Sequence, residues 1–181
     1  MKNNSVAFII GNGVSRLSID LNRLNGITYG CNAIYREFYP DFLVSVDKAM
    51  IEEILKSDYP RERLIVRSHP GLELPEVRKL KWRDSCSGIS ALRLALEENY
   101  EKIILIGFDL HGLEGKVNNV YASTENYRDA GRSEVGYNYW INQLKEYATK
   151  GKVERILGKE SLPLKNLQID RELHEIFPYY E

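Results

Sequence analysis

The sequence predicts an α/β fold: a Rossmann-like, mostly parallel sheet flanked by helices in a single domain. Three observations carry that prediction. Short apolar runs that do not alternate, Val6 to Ile10 being the first, read as strands buried on both faces, the habit of parallel sheets. These runs alternate with segments whose apolar residues recur at helical spacing, which gives successive strand–helix units. The 181 residues, 43% hydrophobic and 28% charged, suit one domain with its own core.

The first strand, Val6 to Ile10, ends at Gly11-Asn12-Gly13. Ile27-Thr28-Tyr29 is a second, ending at Gly30-Cys31-Asn32, and Phe42 to Val46 a third, ending at Asp47. Met50, Ile51, Ile54 and Leu55 then share one helix face. Leu64-Ile65-Val66 is a fourth strand. Ser87 is placed to N-cap a helix with the apolar face Ile89, Leu92, Ala95 and Leu96. Ile103 to Ile106 is the fifth strand and ends at Gly107-Phe108-Asp109. Tyr137, Trp140, Ile141, Leu144 and Ala148 mark a further amphipathic helix, stopped by Gly151. Val153 to Leu157 is the last strand. Residues 1–157 are thus expected as the Rossmann-like domain, and residues 158–181 as a C-terminal tail with a short helix around Arg171 to Ile176. Two stretches read as irregular: Lys56 to Asp84, and the polar His111 to Arg132, whose length and position after a core strand suggest a lid.

Composition narrows the function classes. A net charge of −1 argues against a bulk nucleic-acid binder. Two cysteines, Cys31 and Cys86, make no disulfide framework and fit a reducing compartment. No apolar run reaches the ~18 residues of a membrane span, and Met-Lys-Asn-Asn-Ser leads directly into a strand without a secretory apolar stretch. A cytoplasmic protein is the expectation, with self-association left open.

The chemistry-bearing residues share one topological place. Asn12, Asn32, Asp47 and Asp109 each follow a strand end, and in an open parallel sheet those ends share the edge where ligands bind. In Gly11-Asn12-Gly13-Val14-Ser15 the glycines let backbone approach a phosphate or nucleotide. The Asn12 amide both donates and accepts, which suits ribose or phosphate oxygens. An Asn-Gly hairpin turn is the simpler reading, but Val6 to Ile10 does not alternate and no matching strand follows. Ser87 and Gly88 open a helix whose N-terminal amides can receive a phosphate or carboxylate; plain N-capping is the alternative. Asp109 can bind a ribose hydroxyl, a pterin-like ring or a metal, or merely cap the next loop. His111, two residues on, has the side chain that titrates nearest neutrality, and otherwise simply begins a loop. Tyr121, Tyr127, Tyr137 and Tyr139 lie in or beside the long loop, where hydroxyls can hold phosphate oxygens, although Tyr137 and Trp140 also fit a core-facing helix stripe. Cys86 reads as an inert thiol. Arg78, Lys79, Lys81 and Arg83 read as a solvated surface, or as an electrostatic guide for an anion. No His/Cys spacing suggests a zinc site.

Ile9-Ile10-Gly11-Asn12-Gly13-Val14-Ser15, followed by Ile19-Asp20, Arg23-Leu24, Cys31-Asn32 and Tyr35, resembles the start of the bacterial lipooligosaccharide sialyltransferases. Ser87-Gly88 with its apolar helix, and then Tyr100 to Asp109, resemble the same family. Gly107-Phe108-Asp109-Leu110 with Gly115-Lys116 also resembles the 6-hydroxymethylpterin pyrophosphokinase-like family, which looks like a relative on the same sheet. The similarity spans roughly residues 5–125 and, more weakly, reaches about 157.

The resemblance implies that Asn12 and Asn32 bind a cytidine nucleotide. Asp47 sits where the sialyltransferases have another nucleotide-facing Asn, and Ser87 and Gly88 match the helix start near the donor. In that family a His after the lid is the general base and lid tyrosines stabilise the departing phosphate. Here the stretch Gly131-Arg132-Ser133-Glu134 has no His, so a base would come from His111, Asp109 or Glu134. The implied function is a nucleotide-dependent transferase, most like a glycosyltransferase using a CMP-activated sugar, with a small-molecule or glycan acceptor and no required cofactor. One alternative is a pyrophosphokinase using ATP and Mg²⁺ on a pterin-like acceptor, with Asp47 and Asp109 as cation or acceptor groups. The other is a nucleotide-binding module that lost the base.

Overall fold

Every residue of Val6–Ile10 (β1) is buried, because this strand lies inside the sheet with a helical layer on each face. The computed structural model describes residues 2–74, 76–134 and 136–181. Its elements are β1, β2 (Ile27–Cys31), β3 (Phe42–Ser45), α1 (Lys48–Lys56), β4 (Leu64–Val66), β5 (Arg78–Lys79), α2 (Ser87–Glu97), β6 (Lys102–Ile106), α3 (Asn138–Ala148), β7 (Val153–Ile156) and β8 (Asp170–Arg171). They form one eight-stranded sheet of order β5-β4-β3-β2-β1-β6-β7-β8, parallel at every pairing. The chain leaves β1 in one direction through β5, then returns to its other side with β6. The switch in direction lies between β1 and β6, whose ends align as Ile10 beside Ile106.

Alternate residues of the central strands serve opposite cores. Val6, Phe8 and Ile10 join Ile104 and Ile106 beneath α1, through Met50, Ile51 and Ile54. Ala7 and Ile9 join Ile103 and Leu105 beneath α2 and α3, through Ile89, Leu92 and Leu144. Each fully buried Ile or Leu is worth roughly 1.5–3 kcal/mol, so both faces hold the sheet strongly. The connections from β1 to β2 and from β2 to β3 are short 3₁₀ turns, at Val14–Ser18, Leu21–Arg23 and Asn32–Arg36. No helix of the described residues is long and apolar enough to cross a membrane.

The α/β class and the six longer strands agree with the sequence reading to within two residues at their ends. Two edge strands are additional. β5 and β8 have two residues each, too short to show a pattern. β8 changes the standing of residues 158–181, expected as a tail. The Arg155 side chain is fully buried and donates to both carboxylate oxygens of Asp170 at 2.8 and 2.9 Å, to Phe108 O at 2.9 Å and to Leu162 O at 2.7 Å. This segment therefore extends the sheet, and the short helix expected near its end is a 3₁₀ turn at Leu173–Tyr179 that buries Ile176.

Candidate functional site

A cavity of about 220 Å³ opens at the carboxyl ends of β1 and β6, walled by Gly11, Asn12, Gly13, Asn32, Ser87, Gly88, Asp109 and His111 among others. Open parallel sheets place ligands at such a switch in strand order. Asn12, Asn32 and Asp109 come together in this wall as expected. Asp47 follows its strand on the same edge, but it is exposed and outside the wall.

The strand ends touch one another. The Gly11 N–H donates to Ile106 O and the Gly13 N–H to Gly107 O. A Cβ at Gly11 would lie 2.7 Å from Gly107 O. The glycines expected to admit a phosphate are thus also needed for this backbone contact. Gly107 has φ +68°, and Leu110, three residues on, has φ +62°. A buried leucine in the left-handed region is strained, and such strain concentrates at functional sites.

Asp109 is the organiser of one corner. Its Oδ2 accepts from the Ser15 N–H and the Asn118 side-chain amide, both at 3.1 Å. Its Oδ1 accepts from the Ser161 hydroxyl at 2.9 Å and from the Ser15 hydroxyl. Four donors fill the main acceptor positions of a carboxylate, so Asp109 is a brace rather than a free base or cation ligand. Ser15 is drawn into that brace and away from the cavity wall.

Asn12 presents the opposite case. It is 8% exposed. Its Nδ2 donates to Cys31 O at 3.0 Å and to the Tyr127 hydroxyl at 3.3 Å, which fixes the orientation of the amide. Its Oδ1 is buried and has no partner among the described residues. Asn32, with φ +53°, uses Oδ1 to accept from Ser45 and Ser87 at 2.9 and 2.8 Å, which leaves its NH₂ as the group available to a ligand. Ser87 is the first residue of α2, not its cap. Cys86 holds the cap position, and the Ser87 hydroxyl reaches sideways to Asn32 and accepts from the Val46 N–H at 3.1 Å. Burial pushes the Cys86 thiol up to about 11, against the pull of the Ile89 and Gly88 amides, so it stays protonated and unreactive at neutral pH.

The polar segment after β6 is an ordered strap. Leu113 and Lys116 exchange both backbone hydrogen bonds across Glu114 and Gly115, whose φ angles are +51° and +75°; this is a two-residue hairpin. Further on, the Val120 N–H donates to Asn12 O and the Val14 N–H to Asn118 Oδ1. Arg36 donates to Thr124 Oγ1 at 2.9 Å, and Asn126 donates to Glu53 at 2.7 Å. Tyr121, expected at the nucleotide, is instead buried outside the wall. Its hydroxyl donates to Glu37 at 2.5 Å and accepts from Arg16 at 2.9 Å. Tyr127 faces the cavity in its place.

His111 lies at the rim. Its Nε2 is 2.6 Å from Glu160 O. A carbonyl only accepts, so Nε2 carries the proton and Nδ1 keeps the lone pair. His69, similarly placed on Val46 O, is outside the wall. Arg128 was not singled out by the sequence; it lines the cavity, and its guanidinium has no partner among the described residues. The Arg78 to Arg83 cluster lies at the far sheet edge and none of its basic residues lines the cavity. Tyr137 and Trp140 pack edge to face at 5.1 Å and form an aromatic wall, so their apolar periodicity marks this wall as well as a core stripe. Among the described residues no three His, Cys, Asp or Glu side chains converge as metal ligands. Asp47 and Asp109, the two acids named for a Mg²⁺-dependent alternative, do not form one free site.

Compared with protein-family models, curated proteins and solved structures, the chain matches none of them.

Proposed function

We propose that the protein is a nucleotide-dependent transferase of the glycosyl-transfer type, using a CMP-activated sugar. The observation that carries the reading is the buried and unpartnered Oδ1 of Asn12, a residue of the cavity wall at the strand switch. A buried acceptor without a partner costs about 1–3 kcal/mol, a cost that a ligand N–H or O–H removes. A cytosine amine or ribose hydroxyl supplies such a donor. The Asn32 NH₂ offers the complementary donor, the aromatic wall a stacking surface, and Arg128 a cation for the phosphate. The choice of cytidine over other nucleosides rests on the resemblance of the Gly11 to Ser15 and Cys31-Asn32 segments.

In the transfer step the acceptor hydroxyl gives its proton to His111 Nδ1. The acceptor oxygen bonds to the anomeric carbon. The bond from that carbon to the phosphate oxygen breaks, its electron pair leaving with CMP beside Arg128. The ordered strap excludes water.

The test measures CMP release from CMP-N-acetylneuraminate, with lactose as the acceptor, by the wild type and by the His111→Ala and His69→Ala variants. Wild type and His69→Ala are expected to turn over, and His111→Ala to lose about 100-fold or more, the usual scale of general base catalysis. Equal turnover by both variants removes His111 as the base. CMP binding without turnover favours a nucleotide-binding module, and no CMP binding by calorimetry overturns the reading.

A further inference from the structure

Trp140, Gln143 and Tyr147 of α3 follow the three- and four-residue spacing that puts neighbours on one helix face. Trp140 lines the cavity; the other two reach the turn ahead of α2. Gln143 Oε1 accepts from the Ser85 N–H at 2.8 Å, and the Tyr147 hydroxyl donates to Asp84 Oδ1 at 2.7 Å. The same oxygen lies 3.5 Å from Gln143 Nε2 and 3.6 Å from Arg93 of α2. Asp84 is 5% exposed, and Arg67 donates to its backbone carbonyl, which ties the turn to the end of β4. Two residues beyond Asp84 the chain becomes cavity wall, at Cys86, Ser87 and Gly88. The Asp84 carboxylate thus joins the two helices that stand on either side of the cavity.

The start of α3 depends on that anchor. The buried residues of this helix, Leu144, Tyr147 and Ala148, lie in its second half, and no side chain caps its first turn. The half that carries the aromatic wall is therefore the less buried one. The joint itself is rich in polar groups. Five of the seven buried side-chain atoms without a partner among the described residues belong to it: Arg67 Nε, Trp82 Nε1, Asp84 Oδ2, Ser85 Oγ and Ser90 Oγ. The Arg93 guanidinium covers the Trp82 ring at 4.1 Å, and Ser90 shares the face of α2 that carries Arg93. Donors and acceptors are mixed here, which suits bound water rather than a charged ligand.

We propose that Asp84 is a positioning residue: together with the Gln143 bond to its own turn, its bond to Tyr147 sets the place of α3, and so of the Tyr137 and Trp140 wall, against the start of α2. Asp84 itself is outside the cavity wall. That the aromatic wall meets a nucleoside base rests on the reading above; that Asp84 holds the wall does not.

The experiment uses the full chain carrying Trp82→Phe, which keeps an aromatic face for Arg93 and leaves Trp140 as the sole tryptophan. Trp140 emission and its quenching by acrylamide are measured well below Tm, together with Tm itself and cytidine affinity by calorimetry. Asp84→Ala and Tyr147→Phe should expose Trp140, with red-shifted emission and stronger quenching. Asp84→Asn, whose carbonyl still accepts from Tyr147, should restore the parent signal. Tyr147→Phe keeps its ring in the core and tests the proposal even if Asp84→Ala does not fold. Ile51→Val, a core change beneath α1 on the far face of the sheet, should lower Tm without moving Trp140, which separates positioning from a general loss of stability. Cytidine affinity should fall about fivefold to tenfold when the wall moves, part of the worth of base–aromatic stacking. A Trp140 signal unchanged in both Asp84→Ala and Tyr147→Phe overturns the proposal, as does an equal response to Ile51→Val. Exposure of Trp140 by both variants, with no cytidine binding even by the parent, upholds the positioning role and defeats the nucleotide reading instead.

Discussion

Asp109 and Asn12 stand at the ends of adjacent strands, both buried, yet they are in opposite states. Asp109 receives four hydrogen bonds from three segments. Asn12 spends its NH₂ on the protein and leaves its oxygen without a partner. Buried polar groups are normally satisfied. The satisfied group is therefore architecture, and the unsatisfied one, one of seven such buried atoms among the described residues but in the wall of the cavity, is where we propose that a ligand bonds. Asp109 sits in the motif that resembles catalytic families, but its surroundings assign it the structural role.

The largest expected effect follows from that assignment. Asp109→Ala would leave the Ser15, Asn118 and Ser161 donors buried without an acceptor. The cost is about 3 kcal/mol or more, a fall in Tm of roughly 6–12 °C for a chain this long, read by calorimetry. An unchanged Tm with lost turnover would reverse the comparison and make Asp109 a reacting group.

The next effect belongs to the ligand side. Arg128→Ala removes an exposed cation whose guanidinium has no partner among the described residues, so stability should change by less than about 0.5 kcal/mol. CMP affinity should fall by about 10- to 100-fold, the loss of one charge-assisted hydrogen bond, while cytidine affinity stays the same. Calorimetry with both ligands separates the outcomes; equal losses would mean that Arg128 does not meet the phosphate.

Asn12→Ala is smaller and mixed. It removes the acceptor offered to the ligand and also the bond to Cys31 O. We expect about 1 kcal/mol lost from stability and about fivefold to tenfold from CMP affinity. Unchanged affinity would show that the unpartnered oxygen faces no ligand group.

The two corners also differ in how far the sequence revealed them. Asn12, Asn32 and Asp109 were legible because each follows an apolar run, and a parallel sheet must put those ends on one edge. What each side chain does there was not legible, since it depends on partners far along the chain: Ser161 lies 52 residues from Asp109, and Tyr127 lies 115 from Asn12. Arg128 gave no signal because a lone arginine in a polar loop resembles any surface cation. Tyr121 and Tyr127 could not be told apart, because which one faces inward is set by the Glu37 and Arg16 pair that captures Tyr121. β8 was hidden because two residues carry no periodicity, and Arg155, which holds it, reads as an ordinary surface charge until its burial is seen.

The smallest expected effect concerns the strap that covers both corners. Two carboxylates fasten it: Glu37, through Tyr121 and Arg16, and Glu53, through Asn126 and Arg36. Burial raises each of these carboxyls, but hydrogen bonds and the neighbouring guanidinium more than offset it and leave both below the ordinary value of 4.5. A carboxylate with a depressed folded value stabilises fully above its unfolded value, and that contribution is lost as pH falls through the folded one. Both groups remain partly open to solvent, so screening keeps the effect modest. The strap should therefore hold its hydrogen-exchange protection, corrected for intrinsic rates, from neutral pH down to about 5, and lose it progressively below 4.5. Val120, Ser123, Thr124 and Tyr127, whose N–H groups are bonded within the strap or onto Asn12, are the amides to follow. Ile9 and Leu105, in the buried strands, should stay protected over the same range. If strap and strands lost protection together, the two carboxylates would be holding the whole fold rather than the cover over the cavity.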